Sequence, residues 1–141
     1  MFRDVEAACA AVGPVIVAGA RSGQGAAVAA ALAELAGPVA IVNADLPCVQ
    51  PDDVAALLAA APCLVAAADG TTNALALVDA RSFEPLYGSG SAVRFATLLG
   101  ARRLELRNLA DDVDTLADLR RVEHRVGAHT RRALSAASVR A

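Results

Sequence analysis

Aspartates in two separate groups are the side chains of this sequence best suited to chemistry. Asp45 lies three residues past the end of the apolar run Val39–Val42, and Asp111, Asp112 and Asp114 form a second group far along the chain. Magnesium is usually held by one or two carboxylates, with substrate phosphates completing its shell. If the fold brings the two groups together, they predict a divalent-cation site. The alternative is that the second group caps the helix that follows, which is the preferred interpretation for Asp111.

Two polar segments could bind an anion beside these carboxylates. In the segment Tyr-Gly-Ser-Gly-Ser-Ala, Gly88 and Gly90 let the backbone approach a ligand, and Ser91 places a hydroxyl at a helix N-terminus. A simple capped turn explains this segment equally well. Thr72 and Asn73 supply a hydroxyl and an amide at the start of a strand, a pattern that alone is typical of a turn.

A third segment, Gly-Ala-Arg-Ser-Gly-Gln-Gly at residues 19–25, resembles a phosphate loop only superficially. It lacks the Gly-Lys-Ser/Thr ending of a Walker loop and does not match the dinucleotide-binding glycine pattern. A plain turn before a helix is the better interpretation. Arg21 is the only basic residue that it contributes.

The elements that must position these residues alternate between strands and helices. The run Val39–Val42 has no polar alternation, which is typical of a strand covered on both faces. Pro51 suits the first position of the following helix. The full pattern indicates a three-layer α/β/α sandwich with a mostly parallel sheet, whose carboxyl edge is where ligands bind. Helices are predicted at residues 2–12, 24–36, 51–60, 91–99 and 116–125, and strands at 15–18, 39–42, 63–68, 73–78 and 103–106.

Composition limits the class of protein. With 141 residues, the chain is long enough for one domain, which we predict over residues 1–126, followed by an arginine-rich tail at 127–141. The net charge of −2 argues against nucleic-acid binding, and none of the 13 basic residues is lysine. Three cysteines without a Cys-x-x-Cys pair favour a reducing, cytoplasmic location. The apolar stretch at 7–20 is interrupted by Gly13 and Pro14 and is too short to span a membrane.

Four motifs in order resemble one enzyme family. They are VNADLP at residues 42–47, TTNAL at 71–75, FEPLYGSGSA at 83–92 and DDVDTLADL at 111–119. Together they are similar to 2-phospho-L-lactate (or phosphoenolpyruvate) guanylyltransferases, which are nucleotidyltransferases of the molybdenum-cofactor guanylyltransferase type. The resemblance implies a nucleotide-diphospho-sugar transferase-like fold. It also implies transfer of GMP from GTP to a phosphorylated three-carbon acid, for the biosynthesis of the deazaflavin coenzyme F-420.

The resemblance also implies roles for particular residues. Asp45 and Asp114 are expected to hold Mg²⁺, with Asp112 close by. The pocket for the acid is expected to be lined by polar and small residues: Thr72, Asn73, Gly88, Gly90 and Ser91. The family's first strand and basic nucleotide loop have no counterpart in this sequence, so an N-terminally truncated fold with an exposed sheet edge is expected.

Three functions stay open on the sequence alone. The first is a guanylyltransferase that has little activity by itself because the GTP-binding segment is missing. The second is a non-catalytic binding module for a small phosphorylated acid or a partner chain. The third is a nucleotidyltransferase acting on another sugar or acid. In each case the exposed edge predicts pairing with a second copy or another chain.

Overall fold

Seven α-helices and four β-strands occur in the part of the chain described by the computed structural model, residues 1–19 and 23–138. The strands are β1 (Val39–Val42), β2 (Cys63–Ala66), β3 (Thr72–Leu77) and β4 (Arg102–Arg103). The helices are α1 (Phe2–Ala10), α2 (Gln24–Leu32), α3 (Pro51–Ala59), α4 (Ser91–Leu99), α5 (Arg107–Ala110), α6 (Leu116–Val122) and α7 (Ala128–Ser138). A short 3₁₀ helix covers Ala80–Ser82.

The sheet separates two apolar layers because successive strand residues point to opposite faces. Cys63 and Val65 of β2 pack with residues of α1, α3 and α5 on one face. Leu64 and Ala66 pack with α4 on the other, centred on the fully buried Phe95. Helix α2 packs on this second face against β1. The predicted three-layer α/β/α architecture is confirmed.

The strand directions differ from the expectation of parallel neighbours. The strand order is β1-β3-β2-β4, and β3 is antiparallel to both of its neighbours, while β2 and β4 are parallel. Three strands therefore run in one direction, but the reversed strand lies between two of them and makes the sheet mixed. Apolar runs predict burial and not direction, because a covered antiparallel strand has the same composition as a parallel one.

The reversal of β3 determines which ends of the strands meet. Val42, the last residue of β1, is paired with Ala74 near the start of β3. Beyond this pair, the Asn43 amide donates to the Asn73 carbonyl over 2.9 Å. The residues that follow β1 consequently lie beside the residues that begin β3. This edge of the sheet brings Asp45 and Thr72 into one neighbourhood.

One predicted strand does not form. Residues 15–18 pair with no strand of the described chain, and the side chains of Val15, Ile16 and Val17 are 40%, 58% and 59% exposed. Their β-branched composition favours a strand, but strand formation requires a neighbour with free backbone groups. The local sequence therefore predicted a tendency to form a strand, but it carried no information on whether another strand would lie beside this segment.

The residues after 126, predicted as an arginine-rich tail, include a helix that is held against α1. The buried carboxylate of Asp4 accepts hydrogen bonds from the amides of His129 and Thr130, each over 2.9 Å, and from the Thr130 hydroxyl over 2.6 Å. A side chain on Gly127 would collide with Asp4, since an added Cβ would lie 2.2 Å from Oδ1. The domain boundary at 127 stays a prediction, but the start of α7 belongs to the packed structure.

None of the helices in the described ranges is long and apolar enough to cross a membrane.

Candidate functional site

A cleft of about 260 Å³ opens at the sheet edge where β1 ends and β3 begins. Its walls come from the loop after β1, the start of β3, the segment before α6 and the loop before α4. The lining side chains are almost all polar: Gln24, Asn43, Asp45, Asp69, Thr71, Thr72, Asn73, Tyr87, Gly88, Asp112 and Asp114. Six of the eight predicted site residues are therefore in one cleft.

Asp45 occupies the position predicted for it, just beyond the carboxyl end of β1. Its Oδ1 atom is buried and has no hydrogen-bond partner among the described residues. Burial raises the pKa of this carboxyl above its ordinary value, and the nearby charges of Asp112 and Asp114 raise it further. A buried carboxylate oxygen without a donor, facing other carboxylates, is a costly arrangement unless a cation binds there.

A backbone hydrogen bond holds the second acidic group against the first. The Val113 amide donates to the Asp45 carbonyl over 3.1 Å, so Asp112 and Asp114 flank the point of contact. The preferred capping interpretation is wrong for this segment. The cap of α6 is Thr115, whose hydroxyl accepts from the Asp118 amide over 3.2 Å.

Asp111 faces away from the cleft and has a different role. Arg121 and Arg125 both donate to its carboxylate. Burial alone would raise the pKa of Asp111, but the two guanidinium groups outweigh it and hold the pKa below the ordinary value. These ion pairs anchor the acidic segment to α6 and the residues that follow it, leaving Asp112 and Asp114 free to face Asp45.

The donor set suits a cation that is shared with a substrate. The described residues contain no group of three or more His, Cys, Asp or Glu side chains placed to enclose a metal ion by themselves. Asp45, Asp112 and Asp114 instead offer hard oxygen donors on one side of an open cleft, including the unpartnered Oδ1. This is the kind of site that Mg²⁺ uses when phosphate oxygens complete its shell.

The predicted acid-binding residues divide into two sets. Thr72, Asn73 and Gly88 line the cleft, whereas Gly90 and Ser91 are absent from its lining. Ser91 is completely buried, and its hydroxyl lies 3.0 Å from that of Thr72. The N-cap of α4 is Gly90, so Ser91 neither caps the helix nor reaches the cleft directly.

We expect Ser91→Ala to lower the free energy of unfolding by about 1–2 kcal/mol, because the buried Thr72 hydroxyl loses its partner. Thr72→Val should have a similar cost. The double variant should cost clearly less than the sum, since removing both hydroxyls leaves neither unsatisfied. Denaturant unfolding of all four proteins checks this, and strictly additive effects would show that the two hydroxyls do not interact.

Sequence reasoning missed several lining residues, of which Gln24 and Asn43 are the best placed. The Gln24 side chain donates to Asn43 Oδ1 over 2.7 Å, and Asn43 Nδ2 donates to the Thr72 carbonyl over 3.2 Å. Asn43 stands immediately after the apolar run that forms β1, and this position was a usable signal. Gln24 belongs to the glycine segment interpreted as a plain turn, and it begins α2 at the rim of the cleft.

Residues 23–25 of the glycine segment also border a second, shallower depression of about 400 Å³ that shares Gln24, Tyr87 and Gly88 with the cleft. Gly25 is required here, because a Cβ would lie 2.9 Å from the Cβ of Pro85. Tyr87 lines both the cleft and this depression. Its ring packs edge-on against that of Phe95, with 5.2 Å between the ring centroids. Arg21 lies outside the described residues.

The charge of the described cleft lining is entirely negative. It carries four carboxylates, those of Asp45, Asp69, Asp112 and Asp114, and no arginine, lysine or histidine. An anionic ligand therefore needs either a bound cation or free backbone amides to offset this charge.

Comparison with known proteins gives a consistent result. Residues 2–130 match the MobA-like NTP transferase domain family. A phosphoenolpyruvate guanylyltransferase of Sphaerobacter thermophilus is 43% identical over 89 residues, which cover 56% of this chain and 43% of that protein. A second phosphoenolpyruvate guanylyltransferase, from Geodermatophilus obscurus, is 37% identical over 110 residues, which cover 71% of this chain and 49% of that protein. The chain thus spans about half the length of these curated relatives.

Proposed function

The chain belongs to the MobA-like NTP transferase domain family, and from that premise we propose that its acidic cleft serves guanylyl transfer to a small phosphorylated acid. The acid is phosphoenolpyruvate or 2-phospho-L-lactate, the nucleotide is GTP, and the product is an intermediate for coenzyme F-420. The observation that carries the proposal is the unpartnered Oδ1 of Asp45, facing Asp112 and Asp114 at the cleft. The names of the relatives support the choice of reaction.

In the proposed reaction a phosphate oxygen of the acid attacks the α-phosphorus of GTP. A new phosphoanhydride bond forms, the bond between the α- and β-phosphates breaks, and diphosphate leaves. This chemistry depends on positioning and charge neutralisation, so no nucleophile from the protein is required.

Two sets of residues position the reactants. Asp45, Asp112 and Asp114 hold Mg²⁺, which when bound neutralises phosphate charge. Thr72, Asn73 and Gly88 face the same space from the start of β3 and the loop before α4. We place the acid in the space that these three residues border. Gly88 has a φ of +108°, so any side chain here would strain the loop that approaches the ligand.

We expect the 141-residue chain alone to bind GTP weakly and to release little diphosphate. The described cleft lining has four carboxylates and no cationic side chain to receive a triphosphate. Release of diphosphate is measured with GTP, Mg²⁺ and each candidate acid. A parallel reaction adds the amino-terminal segment of a full-length relative, which the resemblance predicts to carry the basic nucleotide loop.

The outcomes of this assay separate the three functions. If diphosphate is released in the parallel reaction only when both GTP and a three-carbon acid are present, the result supports the proposal. If it is released only with another phosphorylated sugar or acid, the result supports a nucleotidyltransferase of different substrate. Binding of phosphoenolpyruvate with no release in either reaction supports the binding module. Rapid turnover by the chain alone would show that the acidic lining does not limit GTP binding.

We also propose that the protein works in the cytoplasm. The three cysteines, Cys9, Cys48 and Cys63, are free, and the latter two are buried as small apolar residues. Free thiols in this number suit a reducing compartment.

A further proposal concerns the edge of the sheet. Within the described ranges β1 pairs only with β3, so its other edge has free backbone groups. The exposed segment at 15–17 has the β-branched composition of a strand but forms none within the described chain. We propose that this segment of one copy pairs with the β1 edge of another, burying both.

Ile16→Lys should therefore shift the protein towards the monomer, since a charge on an apolar strand opposes its burial. Light scattering after size-exclusion chromatography measures the change across a range of concentrations. Val93→Lys is the control, because Val93 is 70% exposed and lies on helix α4, which contributes no backbone to the sheet. A wild-type protein that stays monomeric at high concentration would contradict self-pairing and leave a different chain as the occupant.

A further inference from the structure

Arg94 makes an unusual set of contacts for a charged side chain on a surface helix. It lies in the first turns of α4, and its guanidinium turns back to the preceding loop instead of pairing with a carboxylate. Nη1 donates to the Ser89 carbonyl over 2.5 Å, and Nη2 donates to the carbonyls of Leu86 over 2.8 Å and Tyr87 over 3.4 Å. No carboxylate lies within ion-pair distance of Arg94 in the described chain.

The loop is wrapped around this guanidinium. Gly88 and Gly90 both have positive φ values, +108° and +70°. Cβ atoms built on these glycines would lie 3.9 Å and 3.5 Å from the guanidinium nitrogens. The remaining carbonyl, that of Gly88, accepts from the Ser91 amide over 2.9 Å. Each of the four successive carbonyls from Leu86 to Ser89 thus accepts a hydrogen bond.

The amides of the same loop are left unused. The N–H groups of Gly88, Ser89 and Gly90 donate to no residue of the described ranges. Successive free amides in a turn that contains left-handed residues can bind an anion together. Gly88 is part of the cleft lining, so this run of free amides begins at the proposed substrate site.

We propose that Arg94 is a positioning residue for the acid substrate. Its forked guanidinium fixes the three carbonyls so that the free amides of residues 88–90 are available to a carboxylate or phosphate. The inference rests on the proposed function for the identity of the anion. Arg94 itself acts through the loop and does not contact the ligand. The planar fork is essential, because a lysine ammonium is a single point charge on a flexible stem and cannot hold three carbonyls in this geometry.

The test compares Arg94→Lys, which keeps the charge, with Arg94→Gln, which removes it. Arg132→Lys, an exposed position on α7, is the matched control. The first measurement is hydrogen exchange, in the ligand-free protein, of the two hydrogen-bonded amides that border the loop: that of Leu86, which donates to the Glu84 carbonyl, and that of Ser91, which donates to the Gly88 carbonyl. In both Arg94 variants these two amides should exchange about tenfold faster than in the wild type, which is the effect of losing roughly one strong hydrogen bond. Exchange in the rest of the chain should be unchanged.

The second measurement is calorimetric titration with phosphoenolpyruvate and Mg²⁺. Both variants should bind about tenfold more weakly than wild type and Arg132→Lys. Wild-type affinity in Arg94→Lys, with loss only in Arg94→Gln, would mean that charge alone matters and would overturn the positioning role. Unchanged exchange in both variants would overturn it as well. If the wild type binds no phosphoenolpyruvate, the proposed function fails, and the exchange measurement still decides whether Arg94 orders the loop.

Discussion

Asp45→Asn is expected to abolish Mg²⁺-dependent binding of phosphoenolpyruvate while making the fold more stable at neutral pH. The affinity should fall by at least about 100-fold, because loss of groups that merely support metal ligands already costs 10–100-fold. The gain in stability follows from the environment of the carboxylate. Oδ1 is buried without a donor, and Asp112 and Asp114 repel its charge.

The sign of the pH dependence follows from the direction of the pKa shift. Burial and the two neighbouring carboxylates raise the pKa of Asp45 in the folded protein above its ordinary value of 3.8. The folded state therefore binds this proton more tightly than the unfolded chain, and stability falls as the pH rises from 3.8 through the folded pKa. The extra stability of Asp45→Asn over the wild type should be fully present at neutral pH and should disappear below 3.8, the ordinary pKa of the aspartate carboxyl.

Thermal unfolding with and without Mg²⁺ measures both effects. Mg²⁺ should raise the melting temperature of the wild type and leave that of Asp45→Asn unchanged. Asp52→Asn is the control, because it removes the same charge from an exposed position at the start of α3. A variant that is less stable than wild type at pH 7, or that responds equally to Mg²⁺, would contradict the assignment of Asp45 as a metal ligand.

Asp4→Ala is expected to lower the free energy of unfolding by about 3 kcal/mol, since hydrogen bonds to a charged group are each worth about 1.5–3 kcal/mol. Asp4 is 6% exposed and accepts from two amides at the start of α7 and from the Thr130 hydroxyl. Without the carboxylate these donors stay buried and unsatisfied, and α7 loses its attachment to α1.

The contribution of the Asp4 carboxylate to the free energy of unfolding should also depend on pH, in the opposite sense to the contribution of Asp45. Burial by itself raises the pKa of Asp4, but the hydrogen bonds from Thr130 and His129 outweigh it and lower the pKa below 3.8. The stabilisation is thus complete above 3.8 and declines as the pH falls through the folded pKa. The difference between wild type and Asp4→Ala should narrow in acid.

Denaturant unfolding at several pH values measures this narrowing. Glu6→Gln, which removes one carboxylate from the same helix, is the control and should change stability by less than about 1 kcal/mol because its partner Arg3 is exposed. An equal effect of the two substitutions would show that Asp4 does not join α1 to α7.

The parts of the site that could be predicted depend on local sequence. Asp45 follows an apolar run that ends at a proline-rich turn, and Pro51 begins α3 as expected. Gly88 lies in a loop whose composition already indicated an approach to a ligand. These features are encoded within a few residues, so the sequence is sufficient for them.

Other parts depend on contacts between distant segments. The antiparallel direction of β3 places Asn73 beside Asn43, and an apolar run carries no information on direction. Ser91 was predicted either to cap α4 or to place its hydroxyl beside an anion, whereas its buried hydroxyl lies 3.0 Å from that of Thr72. The attachment of α7 joins Asp4 to Thr130 across nearly the whole chain, without a local signal.

The central claim is that the cleft holds a phosphorylated acid through a shared Mg²⁺, and calorimetric titration of the wild-type chain with phosphoenolpyruvate tests it most directly. The titration is performed with Mg²⁺ and again with the metal removed by a chelator. We predict binding at a single site that requires Mg²⁺, because four carboxylates in the lining repel an uncompensated phosphate. Equal affinity without the metal, or no binding with it, would contradict the account.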